Sequence, residues 1–121
     1  MKVKHSPLVT IVTISLNCKS SLEETISSVC SQDYSRIEYI IVDGGSTDGS
    51  LSIIDSYNWC VDKTISEKDD GIYSAMNKGL KMASKNSDFI TFLNAGDIFH
   101  TKFVIREMVC ESSKTTEHLY G

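Results

Sequence analysis

The sequence predicts an α/β, Rossmann-like protein with a mainly parallel sheet. Three observations point there. Four apolar runs alternate with segments patterned for helices. The strongest runs are β-branched or aromatic and apolar at successive positions, as in strands buried on both faces. Each strong run then stops in a cluster of small, polar or acidic residues, where ligands bind in open α/β sheets.

In chain order, the first run covers residues 8–16 and carries Val9, Ile11, Val12 and Ile14, just after Pro7, the only proline. Leu22, Ile26, Val29 and Cys30 then fall at helical spacing. The second run is 37–42. Leu51 and Ile54 mark a short helix after Thr47 and Asp48. A weak strand is expected over 61–65. Ile72, Met76, Leu80 and Ala83 form the apolar stripe of a third helix, with Ser74, Asn77, Lys78 and Lys81 mostly on other faces. The fourth run is 89–93, a further helix is expected from 101 to about 110, and 118–120 read as the start of another strand. Such alternation implies parallel strands joined by helical crossovers.

With 121 residues the chain suits one domain and buries a core without needing staples. A net charge of −4 argues against a nucleic-acid partner, which needs a basic face. Cys18, Cys30, Cys60 and Cys110 show no CxxC spacing, so a zinc site is not expected and the thiols read as reduced and mostly buried. No secretory signal stands at the start, and no apolar run approaches the roughly 20 residues of a membrane span. A soluble, cytoplasmic chain is expected. His5, His100 and His118 read as surface residues, and Tyr57 and Trp59 as packing residues.

The strand ends carry the chemistry. Ser15, Leu16 and Asn17 follow the first run. Asp43, Gly44 and Gly45 follow the second, where the carboxylate suits a base N–H or ribose hydroxyls and the glycines allow a sharp turn or a close ring. Thr47 or Asp48 suits the N-cap of the next helix. Asn94, Ala95, Gly96 and Asp97 follow the fourth run. Asp97 fits a magnesium or manganese ion that takes its other ligands from waters and phosphates, or a helix cap. Asp70 suits the cap of the third helix, whose N-terminus favours anions, with Lys78 adding charge. The Asp69-Asp70 pair alone also reads as a solvated turn. The phosphate loops GxGxxG and GxxxxGK[ST] are absent, against dinucleotide-dehydrogenase and P-loop readings.

This ordered set resembles family 2 glycosyltransferases with the GT-A fold. The matching stretches are 9–17 (VTIVTISLN), 22–29 (LEETISSV) with Ser31 and Gln32, 38–50 (EYIIVDGGSTDGS), 66–79 (SEKDDGIYSAMNKG) and 92–97 (FLNAGD). The resemblance implies a GT-A α/β/α sandwich in which the stretch around Asp43, Gly44 and Gly45 meets the base and ribose. It implies that Ser15 and Leu16 line the base pocket. Asp70, Ala75, Asn77 and Lys78 would lie beside the sugar and phosphates, and Asp97, with Asn94 as a weaker partner, would hold the cation. The implied donor is a UDP- or GDP-sugar and the implied acceptor is a saccharide or lipid-linked sugar. The transfer would be inverting and would serve bacterial surface polysaccharides, in a full-length protein associated with the inner face of the membrane. Two departures stand out: Gly44 where many relatives have a second Asp, and Asn94-Ala95-Gly96 where many have an Asp-x-Asp pattern. No catalytic base is assigned. It is expected beyond Gly121, in an acceptor half, so residues 1–121 read as a donor-binding portion inactive by itself. The alternatives are a non-enzymatic α/β module such as a receiver domain, which lacks here its acidic pair after the first strand, and a degenerate glycosyltransferase that only binds.

Overall fold

The computed structural model describes residues 6–120, with side chains through residue 112. The elements are β1 (Val9–Ser15), α1 (Lys19–Cys30), β2 (Ile37–Asp43), α2 (Ser50–Ser56), β3 (Lys63–Ser66), α3 (Ile72–Met82), β4 (Phe89–Phe92) and α4 (Val104–Tyr120). The four strands form one parallel sheet in the order β3-β2-β1-β4. The expected α/β architecture is met. Because every strand runs the same way, all their carboxyl ends open on one edge. Ser15 lies opposite Asp43 in the β1–β2 register.

Alternate residues of the central strands feed two cores, as the two-residue strand period requires. Val9, Ile11, Tyr39 and Ile41 pack with Leu22, Ile26 and Val29 of α1, Ile54 of α2 and Ile105 of α4. Val12, Ile40 and Val42 face the other way, onto Ala75 of α3. The sheet is therefore covered on both sides, which explains why β1 and β2 read as unbroken apolar runs.

Four expectations need correction. Helix α3 does not bury the stripe of Ile72, Met76 and Leu80: Ile72 and Leu80 are 49% and 46% exposed, while Ala75 and Gly79 are buried. The helix approaches the sheet on small residues, so Ile72 and Leu80 are turned outward. Residues 118–120 continue α4 rather than starting a strand, since no glycine or proline interrupts 98–120. Cys30 and Cys60 form a disulfide, Cys18 is half-buried and Cys110 exposed. The fold brings the end of α1 to the turn after α2, with a Cα–Cα distance of 5.9 Å across 30 residues of sequence, which spacing alone does not reveal. Trp59 is 69% exposed, touching Tyr57 with ring centroids 5.9 Å apart, so it is not a core residue.

Gly79 sets how closely α3 can lie on β1. A Cβ there would stand 2.6 Å from Cγ1 of the buried Val12. Helix propensity alone would make Gly79→Ala stabilising by about 1 kcal/mol. Overpacking against a stiff β-branched residue costs about 1–3 kcal/mol, so the net change is a loss. Thermal melts should show Gly79→Ala below the parent and partly restored by Val12→Ala. A raised melting temperature for the single variant would contradict this close contact.

Candidate functional site

The loops after β1 and β2 interlock at the open edge. Asn17 adopts φ 51°, a region that asparagine tolerates better than most residues. Its Oδ1 accepts from Thr47 N–H at 2.8 Å, and its own N–H donates to Ser46 Oγ at 2.8 Å. Gly44 N–H donates to the Ser15 carbonyl at 2.9 Å. Asp48 joins two helix starts: it accepts from Lys19 N–H at 3.0 Å, and from Ser50 N–H and Oγ at 3.1 and 2.6 Å. The Ser50 hydroxyl first, then the Lys19 N–H, hold its carboxyl below the usual range. Gly49, at φ 96°, takes the N-cap position itself.

Asp43 is fully buried. Its Oδ2 accepts from Gly45 N–H, Ser46 N–H and Ser66 Oγ at 3.0, 2.8 and 2.9 Å, and its Oδ1 from Ser46 Oγ at 2.6 Å. A carboxylate offers about four acceptor positions, and here four donors use them. The side chain expected to meet the base and ribose instead builds the turn that presents Gly44 and Gly45, both half-exposed.

Beside that turn is a slot of about 200 Å³ lined by Ile14, Ser15, Leu16, Gly44, Asp69, Gly71, Ile72 and Ala75. Ser15 is 2% exposed and its Oγ has no hydrogen-bond partner. Asp70 is exposed and does not cap α3, because Gly71, at φ 122°, occupies the N-cap position without a side-chain bond. Its neighbour Asp69 enters the slot instead. Nothing local in the sequence distinguishes Asp69 from Asp70 as the inward member of the pair. Lys78 is engaged, with its Nζ 3.1 Å from Glu67 Oε2 and 3.4 Å from the Lys68 carbonyl, so it pins the loop before α3. Asn77 is exposed.

After β4 the chain stays against β1: Leu93 N–H donates to the Val12 carbonyl and Ala95 N–H to that of Ile14. Asn94 Oδ1 is buried there without a partner. Helix α1 fixes the next turn. Thr25 Oγ1 donates to the Asp97 carbonyl at 2.8 Å and accepts from Gly96 N–H at 2.9 Å, while Ser28 Oγ accepts from Phe99 N–H at 3.1 Å. Asp97 itself is exposed, and its carboxylate has no hydrogen-bond or ionic partner among the described residues. No cluster of three or more His, Cys, Asp or Glu suited to a metal occurs among the described residues. The donor set that does occur, one free carboxylate and one orphaned amide oxygen, suits a hard divalent cation shared with phosphates and waters.

Because β1 lies between β2 and β4, Ser15, Leu16, Gly44, Gly45, Asn94 and Asp97 gather on one edge. Larger open grooves lie elsewhere, including one of about 690 Å³ along α1 with Glu23, Ser27 and Tyr57. None of these is lined by Ser15 or Asn94, the buried, unpartnered polar side chains among the described residues.

The model for glycosyl transferase family 2 matches residues 10–117. An uncharacterised glycosyltransferase of Mycobacterium tuberculosis is 37% identical over 105 residues, covering 86% of this chain and 39% of the relative. A putative teichuronic acid biosynthesis glycosyltransferase of Bacillus subtilis is 36% identical, covering 75% of this chain and 36% of the relative. The chain thus spans well under half of these relatives. Among solved structures, S. aureus TarS in complex with UDP-GlcNAc superposes with TM-score 0.78 at 20% identity, over 88% of this chain and 31% of that one. A mannosyltransferase of Pyrobaculum calidifontis with GDP-Man and Mn2+ gives 0.74 at 22%, over 84% and 31%. These two likenesses support the GT-A fold, and the receiver-domain alternative is set aside. Matched over nearly its whole length, the chain belongs to glycosyl transferase family 2.

Proposed function

We propose that this chain forms the donor site of a glycosyltransferase that moves a sugar from a nucleoside-diphosphate sugar to a saccharide or lipid-linked acceptor. The observation that carries the reading is the pair of buried, unpartnered oxygens, Ser15 Oγ and Asn94 Oδ1, at adjoining strand ends beside the free carboxylate of Asp97. Buried polar atoms are normally satisfied, so two orphans at one ligand edge are the signature of groups awaiting a partner. The nucleotide complexes of the two structural neighbours support the same ligand class.

Asp97 and Asn94 would hold a magnesium or manganese ion, which when bound stabilises charge on the diphosphate leaving group. Thr25 and Ser28 keep the turn that carries Asp97 in place. Ser15, Leu16 and the Gly44-Gly45 turn receive the nucleoside, with Asp43 organising that turn from below. Ala75 walls the slot from α3, while Asp70 before that helix and Asn77 and Lys78 in its second turn would lie beside the sugar and phosphates. Transfer is inverting in this reading: an acceptor hydroxyl attacks the anomeric carbon opposite the diphosphate, losing its proton to a base not assigned among the described residues. The relative named for teichuronic acid biosynthesis supports a role in bacterial surface polysaccharides. A position at the inner face of the membrane belongs to the same proposal. Among the described residues no helix is long and apolar enough to cross a membrane.

Calorimetry with UDP or GDP, with and without manganese, tests the reading. Asp97→Ala should lose the manganese-dependent part of the affinity, about tenfold or more for a charged contact. Equal affinity with the same metal dependence would overturn the role given to Asp97.

A further inference from the structure

We infer that the outer face of α1 and the turn after α2 form a binding surface for a neutral saccharide chain, separate from the donor edge. Its role, though not its existence, rests on the donor reading. Trp59, the only tryptophan in the sequence, is 69% exposed. The turn that carries it is braced. Cys60 N–H and Val61 N–H both donate to the Tyr57 carbonyl, at 2.9 and 3.0 Å, and Cys60 is bonded to Cys30 at the end of α1. The Tyr57 ring stands beside Trp59, with centroids 5.9 Å apart and planes tilted by 38°. Two aromatic rings are thus presented on a turn that is already ordered, so a ligand meets them without the cost of ordering them.

Tyr57 also lines an open groove of about 690 Å³ along α1, with Ser20, Glu23, Glu24, Ser27 and Ile98. The Tyr57 hydroxyl donates to Glu23 Oε2 at 3.0 Å. The Glu24 carboxylate and the hydroxyls of Ser20 and Ser27 have no partner among the described residues. No lysine or arginine lines the groove.

Aromatic faces beside free hydroxyls and carboxylates match the two aspects of a pyranose. The C–H face of the sugar ring lies on the negative face of an aromatic ring. Its hydroxyls donate to carboxylates and exchange hydrogen bonds with serines. Two carboxylates and no cation disfavour an anionic chain, because like charges at an interface reject the wrong partner. The groove also reaches the transfer edge: Ile98, in its lining, directly follows Asp97. A saccharide held along α1 is therefore kept close to the place where sugar is transferred, which raises its local concentration there. The free serines and this continuity favour a saccharide over a basic peptide.

Emission from this chain reports Trp59 alone among tryptophans, so fluorescence titration is the experiment. At least one of two neutral oligosaccharides, maltohexaose or chitohexaose, should give a saturable blue shift as the ring loses water. Calorimetry with that sugar should show Trp59→Ala binding about tenfold or more weakly, as for truncation of an aromatic anchor, and Trp59→Phe in between. Glu24→Ala should weaken the same sugar with Trp59 left in place. Both positions are exposed, and both variants should bind UDP with manganese as the parent does. No saturable change with either sugar, an unchanged sugar affinity in Trp59→Ala, or tighter binding of an oligogalacturonate or an oligolysine overturns the inference. A parent that binds sugar at Trp59 but no nucleoside diphosphate keeps this surface and overturns the donor reading.

Discussion

Glu38→Ala should lower folding stability by about 3 kcal/mol, the scale for removing a buried carboxylate and orphaning the donors that meet it. Glu38 is 8% exposed. Its Oε1 accepts from Thr10 Oγ1 and Ser84 N–H at 2.8 and 2.9 Å, and its Oε2 from Ser84 Oγ and Lys63 Nζ at 2.7 and 3.1 Å. Four donors from β1, β3 and the turn after α3 converge on one carboxylate near the amino ends of the strands. Burial alone would raise its pKa, but the bonds from Ser84, Thr10 and Lys63 together hold it down to about 2, from 4.5. A shift of that size corresponds to about 3 kcal/mol. The folded value is the lower one. The contribution is therefore fully present above the unfolded value near 4.5 and is lost as pH falls from there through about 2. Urea melts at pH 7 and pH 3 should show the parent losing stability and Glu38→Gln losing less. Parallel losses in both would show that Glu38 does not carry this acid sensitivity.

Reducing the Cys30–Cys60 bond, or replacing both cysteines by alanine, should cost about 3–4 kcal/mol, the loop-closure value for a link across 30 residues. For a domain of this size that corresponds to a fall in melting temperature of roughly 10 °C or more. The bond ties α1, which holds the turn bearing Asp97, to the segment that leads into β3. A thiol titration in denaturant should find two reactive cysteines, Cys18 and Cys110, before reduction and four after it. Four before reduction, or identical melts with and without reductant, would contradict the pairing.

The sheet was legible because β1 and β2 are buried on both faces, leaving β-branched runs that only a central strand explains. The site edge was legible because those runs stop abruptly in Ser15, Asp43 and Asn94. What escaped depends on contacts distant in sequence. Asp43 is an organiser rather than an open acceptor because Ser66 reaches it from β3, 23 residues on. The phase of α3 follows from Gly79 meeting Val12, and small residues leave a weaker hydrophobic signal than Ile72 or Leu80. Asp69 rather than Asp70 faces the slot, beside a Gly71 backbone at φ 122°. The disulfide needs α1 and the turn after α2 to be packed before its partners meet.

The central claim is that Ser15, Leu16, Gly44, Asn94 and Asp97 form one site for a nucleoside diphosphate and a divalent cation. Paramagnetic broadening by manganese, read residue by residue in amide spectra of this chain, tests it most directly. With UDP present, traces of manganese should broaden Asn94, Gly96 and Asp97 first, and UDP itself should shift Ser15, Leu16 and Gly44. Without UDP the same manganese should broaden Asp97 far less, because one carboxylate and one amide oxygen hold the ion weakly. UDP-independent broadening centred on Glu23 and Glu24 of α1, with no shift at Ser15 or Gly44, would contradict the account.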